Sequence, residues 1–287
     1  MNIRAKTGQT LFLTGFELRK LLKQKHIMLG VLVVSILTAL CATGFYTGMK
    51  VNPEQNIEGI FLNELTRGAN FSVTVLFPAA MFLLPMLVGI FTTMSFAGEL
   101  QSGIIRAVSA RSMSRFNLIF SKFLAISIYS FCLMALLLLV SYITGGILFG
   151  FKGDIVIIGF LFLGKSGGVY VLGGDEGLKR LLLAYLFSWF SLTSLSAFCL
   201  MCAAIFKKFA IAAAVSLGLF FTSNLLLSIP FMENVNHYIP TYHLIFWRYV
   251  LAKEILWAPL LHDGLITVAF TGASLFVAAV AFRNSDL

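Results

Sequence analysis

Charge is what this chain has least of. Only 11% of its residues are Asp, Glu, Lys or Arg, against 59% hydrophobic, and the mean hydropathy is +0.93. A soluble domain carries about 25% charged residues. A water-soluble globule is therefore excluded, and the chain reads as a polytopic membrane protein. Cysteine is limited to Cys41, Cys132, Cys199 and Cys202, all inside apolar runs. That leaves no disulfide framework. The Cys199-x-x-Cys202 pair lacks further ligands, so the two read as small buried hydrophobes. The first 26 residues are polar and basic with no apolar stretch before a small-residue cleavage site, so no cleavable signal peptide is expected.

Catalytic signatures are missing as well. His26, His237, His243 and His262 are scattered near the ends of apolar runs, with no HExxH or paired-ligand spacing. There is no GxSxG. Carboxylates are essentially absent from the apolar cores, which argues against a carrier driven by protons or sodium. The expectation is a chain that is not itself an enzyme, with no catalytic, cofactor or metal residues of its own. Residues 159–166, GFLFLGKS, do fit the phosphate-loop pattern GxxxxGK[ST]. That loop must wrap backbone N–H groups around phosphates, and Phe160-Leu161-Phe162-Leu163 is bulky and apolar there. Too few residues separate the flanking runs for a nucleotide-binding domain, and no apolar strand ending in a magnesium-holding Asp follows. The expected structure at 155–163 is a short apolar segment resting on or entering the outer leaflet.

What is present is six apolar stretches, each near or above the roughly 20 residues a spanning helix needs. They lie at about 27–48, 71–96, 119–149, 181–206, 209–229 and 263–282. The expected fold is all-α: one transmembrane domain over 1–287 with six spans. Pro78 and Pro85, seven residues apart, predict bends in the second span. Residues 10–25 place Leu11, Leu18, Leu21 and Leu22 on one helical face and Glu17, Lys20 and Gln24 opposite, which predicts an amphipathic helix in the headgroup layer. Tyr242, Ile245, Phe246, Tyr249 and Val250 follow helical spacing and predict a short helix on or dipping into the outer leaflet between spans five and six. Ala210, Ala214 and Gly218 repeat every four residues, and Gly146 and Gly150 form a GxxxG. Both allow close helix approach, with packing inside one subunit favoured slightly over contact between subunits. Asn70-Phe71-Ser72 matches a glycosylation sequon too short to carry weight.

Six spans put both termini on one side. That side collects 13 bases against three acids, Glu17, Glu99 and Asp286, while the other holds eight bases against nine acids. The asymmetry predicts cytoplasmic termini in a plasma (inner) membrane, bacterial in type. It also accounts for the net charge of +9 without nucleic acid.

The longest polar interruption in the first half is residues 97–122, AGELQSGIIRAVSARSMSRFNLIFSK. It carries one acid, Glu99, and the bases Arg106, Arg111, Arg115 and Lys122. Ile104, Ile105 and Val108 give a short helix an apolar edge, opposite the arginines. A short amphipathic helix in a turnaround between two spans is a docking piece.

This stretch resembles the signature of the membrane subunits of ATP-binding-cassette transporters, the type-2 exporter permease family. Members show a Glu near the end of the second span, a Gly-Thr-rich turn, a Leu-rich helix, a Pro-x-Ser-Arg and a Lys opening the third span. Glu99, Gly103, Ser114, Arg115 and Lys122 match in order and spacing. Ile104 stands where Thr is usual and Ser112 where Pro is usual. The ending Phe282-Arg283-Asn284-Ser285-Asp286-Leu287 is similar to the Phe-x-Arg-x-Asp ending common in these permeases. The resemblance implies a second membrane subunit, identical or related, and two separate ATP-binding subunits that carry the ATP and magnesium. It makes Glu99, Gly103, Ile104, Ile105, Arg106, Val108, Arg111, Ser114, Arg115 and Lys122 the coupling segment seated in a groove of the ATPase. The arginines would pair with acids there or, in the plainer reading, with lipid phosphates, and Glu99 would pair with a nearby base. A hydrophobic or amphipathic substrate suits the 29 phenylalanines. The alternatives are an ion-gradient-driven carrier and a membrane-embedded enzyme.

Overall fold

Backbone amides inside a bilayer have no water to bond to, so each apolar run must close its own hydrogen bonds as a helix. The structure is a computed structural model that describes residues 12–21, 25–51, 56–57, 60–61, 68–105, 115–151, 155–158, 169–227, 229 and 236–284. The fold is all-α and polytopic, with six helices long and apolar enough to cross a membrane. A helix at 12–21 (α1) leads into α2 (Lys25–Val51). Two-residue strands β1 (Asn56–Ile57) and β2 (Ile60–Phe61) follow. Next come α3 (Ala69–Gln101), α4 (Arg115–Phe149), strands β3 (Ile155–Ile158) and β4 (Val169–Leu172), α5 (Gly174–Phe206) and α6 (Phe209–Leu227). Then α7 (Pro240–His243), a 3-10 segment Phe246–Leu251 and α8 (Trp257–Arg283) complete it. Polar ends carry several helices past their oily runs. Thus α3 continues to Gln101, α5 starts at Gly174 and α8 at Trp257.

The central post is α5. About 67% of its apolar window is buried, against 22% for α2, 17% for α6 and 22% for α8. It packs on α3, α4, α6 and α8. Ser188, Ser191, Ser194 and Ser196 are buried along it, small side chains that let neighbours come close. Cys199 and Cys202 are buried free thiols, as the sequence predicts.

The proline pair in α3 is absorbed by a π-helical turn, Ala79–Leu83, in which the Leu84 N–H reaches back to the Ala79 carbonyl. A second π turn, Met94–Gly98, immediately precedes Glu99. Such turns are frequent at functional sites.

Several expectations are corrected. Residues 155–158 are a strand, antiparallel to β4 with Ile155 opposite Leu172 and Ile158 opposite Val169. Ile155 and Ile157 are buried in the protein core beside Phe71 and Leu181. Gly177 gives Ile155 room, since a Cβ there would lie 2.7 Å from it. An unbroken β-branched run reads as oily in sequence, but β-branched side chains favour a strand, and a run this short suits a buried hairpin. Residues 159–168, with the GKS triplet, lie outside the described residues. The expected helix at 242–250 is two shorter pieces, α7 and the 3-10 segment. Phe246, Trp247, Val250 and Leu251 are buried in protein, so this segment packs onto the bundle. Ala210, Ala214 and Gly218 all face outward, and a Cβ on Gly218 would touch nothing within 4 Å, so that stripe does not pack inside this chain. Gly146, in contrast, receives the Phe151 ring, and Gly150 ends α4 with φ +98°. Asn70 is buried, and its Oδ1 accepts from the Val156 N–H at 2.7 Å. The sequon is a structural side chain.

A candidate coupling site at the basic end

The ends of the helices at which α1, Gln101, Arg115, Lys207 and Arg283 come together form the basic end of the bundle. Lys122 sits just inside the start of α4 with its side chain fully buried. An ammonium there is tolerable only if each proton has an acceptor and the charge is matched. Nζ donates to Glu99 Oε2 at 2.8 Å, to the Ser95 carbonyl at 2.9 Å and to Glu17 Oε2 at 3.1 Å. Lys20 Nζ closes the set at 2.7 Å from Glu99 Oε1. Two carboxylates and two ammonium groups make a neutral quartet. The π turn supplies the third acceptor: the Glu99 N–H bonds to Phe96 O, and the Ser95 carbonyl accepts from the lysine.

The quartet ties together α1, the end of α3 and the start of α4. Below it, Phe96, Leu100, Ile105, Leu118, Ile119 and Phe282 form an apolar cluster. After Gln101 the chain turns at Gly103, whose φ of +78° favours glycine. Ile105 is then buried and Ile104 is 43% exposed. Arg115 turns back to the last helix: its Nη1 donates to the carbonyls of Phe282 at 3.0 Å and Arg283 at 2.8 Å, capping the end of α8. Gln101 Oε1 accepts from the Phe209 N–H at 3.2 Å, linking this turn to the start of α6. Lys207 terminates α5 in the left-handed conformation.

Of the residues singled out in sequence, Glu99, Gly103, Ile105, Arg115 and Lys122 gather at this end, with Ile104 on its surface. Arg106, Val108, Arg111 and Ser114 lie outside the described residues, as does the ending 285–287. Glu99 pairs with nearby bases, as expected. Sequence reasoning missed Lys20 as a partner of Glu99 and Glu17 as a partner of Lys122. The available signal was Glu17 itself, the one acid among the first 26 residues.

Two features lie toward the opposite end. A small cleft opens between α3, α5, α6 and the 244–247 segment, lined by Met81, Leu192, Leu195, Phe220 and Trp247, with Ser188, Ser191 and Asn224 among them. Asp263, buried near the start of α8, meets His243, His262 and Tyr249. Two of the histidines that look scattered in sequence, His243 and His262, therefore converge in space. Burial pushes the Tyr249 hydroxyl up to about 12, so it donates at neutral pH.

Residues 36–286 match a family model whose description is a protein of unknown function, DUF2705. No curated protein matches the chain.

Proposed function

We propose that the chain, which belongs to the DUF2705 family, is the membrane-spanning permease subunit of an ATP-binding-cassette transporter. The observation that carries this reading is the neutral quartet around Lys122. A segment docked on an ATPase can move spans only if it is joined rigidly to them. Glu99 and Lys122 bracket that segment, at the end of α3 and the start of α4. Their shared bonds, with Glu17 and Lys20 on α1, make a stiff lever of three elements.

In this reading the basic end faces the cytoplasm, and residues 103–115 dock in a groove of one of two separate ATP-binding subunits, where the ATP and magnesium reside. The outward stripe Ala210, Ala214 and Gly218 suits close approach of a second membrane subunit. The cleft, mostly apolar with Ser188, Ser191 and Asn224 on its wall, suits a hydrophobic or amphipathic substrate moved outward. Arg115 supports the lever by capping α8, which leaves charge-paired docking to Arg106 and Arg111.

Isolation of the full-length chain from its native membranes in mild detergent tests the proposal. A separate ATP-binding polypeptide should come with it, and ATP turnover should require that partner. An intact, inserted chain that isolates without an ATPase under every condition would refute the reading. So would a chain that hydrolyses ATP by itself, or one that moves substrate on an ion gradient in ATP-free liposomes.

A further inference from the structure

Three side chains meet at the end of the bundle away from the quartet. Asp263 Oδ1 lies 2.9 Å from His243 Nδ1 and 3.0 Å from His262 Nδ1. These three donor atoms fall within 4.8 Å of one another. Asp263 Oδ2 accepts from the Tyr249 hydroxyl at 3.1 Å. His243 Nε2 is 3.0 Å from the His237 carbonyl oxygen.

That last contact decides the chemistry. A carbonyl oxygen only accepts, so Nε2 carries its hydrogen. A neutral His243 then holds a lone pair on Nδ1 and aims it at a carboxylate oxygen 2.9 Å away. Two lone pairs at that distance repel, so Nδ1 holds either a second proton or a metal ion. A second proton on His243 would answer for that pair alone. A metal ion answers for all three donors at once.

We propose that His243 Nδ1, His262 Nδ1 and Asp263 Oδ1 bind a divalent transition-metal ion of the zinc class, with the remaining coordination open. Two imidazoles and one carboxylate suit such ions and not magnesium or calcium, which take oxygen. Zinc bonds to these donors are about 2.0–2.1 Å, which sets tetrahedral donors about 3.3 Å apart. The observed spacings of 2.9 and 3.0 Å need only a slight opening. The surroundings are those of a supported ligand set. His243 donates its far N–H to a carbonyl, and the carboxylate's second oxygen is held by Tyr249. His243 and Asp263 are buried and fixed, while the His262 side chain is 71% exposed and gives the ion access. Arg248 joins the cluster through Tyr249 alone: it lies over the rings of Tyr242 and Tyr249 at 5.0 and 5.1 Å, and its Nη2 donates to the Tyr249 hydroxyl at 3.3 Å. The site needs no ATPase, so it stands or falls apart from the permease reading.

The test is titration of the purified, chelator-stripped full chain with cobalt(II) at pH 7.5. The expected result is one ion per chain, a visible absorption band of low-symmetry cobalt, and displacement by zinc. His262→Ala removes an exposed ligand without touching the core, and should weaken cobalt binding by roughly 100-fold while the elution profile and melting stay unchanged. Asp263→Asn should abolish the band. Binding no greater in the unmodified chain than in His262→Ala would overturn the proposal. A chain stabilised by protons at low pH but by neither metal at pH 7.5 would overturn it equally, and would assign the site to a proton.

Discussion

The two ends of this bundle each bury ionisable groups, and they resolve the cost in opposite ways. At the basic end, two carboxylates meet two ammonium groups, and each proton of Lys122 has an acceptor. The arrangement is neutral and saturated, so it has nothing left with which to bind a ligand. At the other end, one carboxylate oxygen, Asp263 Oδ1, lies within 3.0 Å of two imidazole nitrogens. That cluster is short of positive charge and opens to the surface through His262. A saturated buried cluster acts as a joint. An unsaturated one acts as a receptor.

The contrast predicts unequal sensitivity to substitution. The largest effect should come from Lys122→Met, which leaves the two carboxylates Glu17 and Glu99 with Lys20 as their single counter-charge in the cluster. Breaking one partner out of such a cluster costs about 3–5 kcal/mol, to be seen as a large drop in the melting temperature of the purified protein. Adding Glu17→Gln and Glu99→Gln should recover most of that loss, because no carboxylate is then buried without a counter-charge and the part-exposed Lys20 can turn to solvent. Retention of full stability by Lys122→Met alone would show that the quartet is no joint. Next is Gly103→Ala, which forces a Cβ into the left-handed region at φ +78°. The expected loss is about 1–2 kcal/mol, measured by the same melt, with faster hydrogen exchange in the last turn of α3. The smallest effect belongs to Tyr249→Phe, which removes one bond to Asp263 at a cost of about 1 kcal/mol. The sign with pH is definite. Burial raises the tyrosine from its ordinary value near 10 to about 12, so the folded state favours the protonated hydroxyl. Its contribution is complete below pH 10 and is lost as pH rises through 12. A Tyr249→Phe protein should lack that part of the alkaline decline, and an identical alkaline profile in both proteins would contradict the assignment.

Much of this was legible in the sequence because a bilayer punishes an unsatisfied backbone. All six spans follow from apolar runs alone, and Glu99 and Lys122 stand out as charges at span ends. Their partners did not stand out. Glu17 is 105 residues from Lys122, and no periodicity links positions that far apart. The same holds for His243 and Asp263, which lie on different elements. Faces were also illegible. In a soluble helix the apolar side marks the core, but in a membrane helix both sides are apolar. Ala210, Ala214 and Gly218 therefore read equally as buried or lipid-facing, and the structure turns them outward. The β3–β4 hairpin was hidden for a related reason, since Ile155–Ile158 is oily whether it lies in lipid or in protein.

The most direct measurement is ATP turnover by the ATPase that the proposed function requires, reconstituted in vesicles with this chain. Three preparations are compared: the ATPase alone, the ATPase with the natural chain, and the ATPase with the folded Lys122→Met, Glu17→Gln, Glu99→Gln variant. The account predicts that the natural chain accelerates turnover, and that the variant still holds the ATPase but loses that acceleration by roughly tenfold. Equal acceleration by both chains, or none by the natural one, would contradict it.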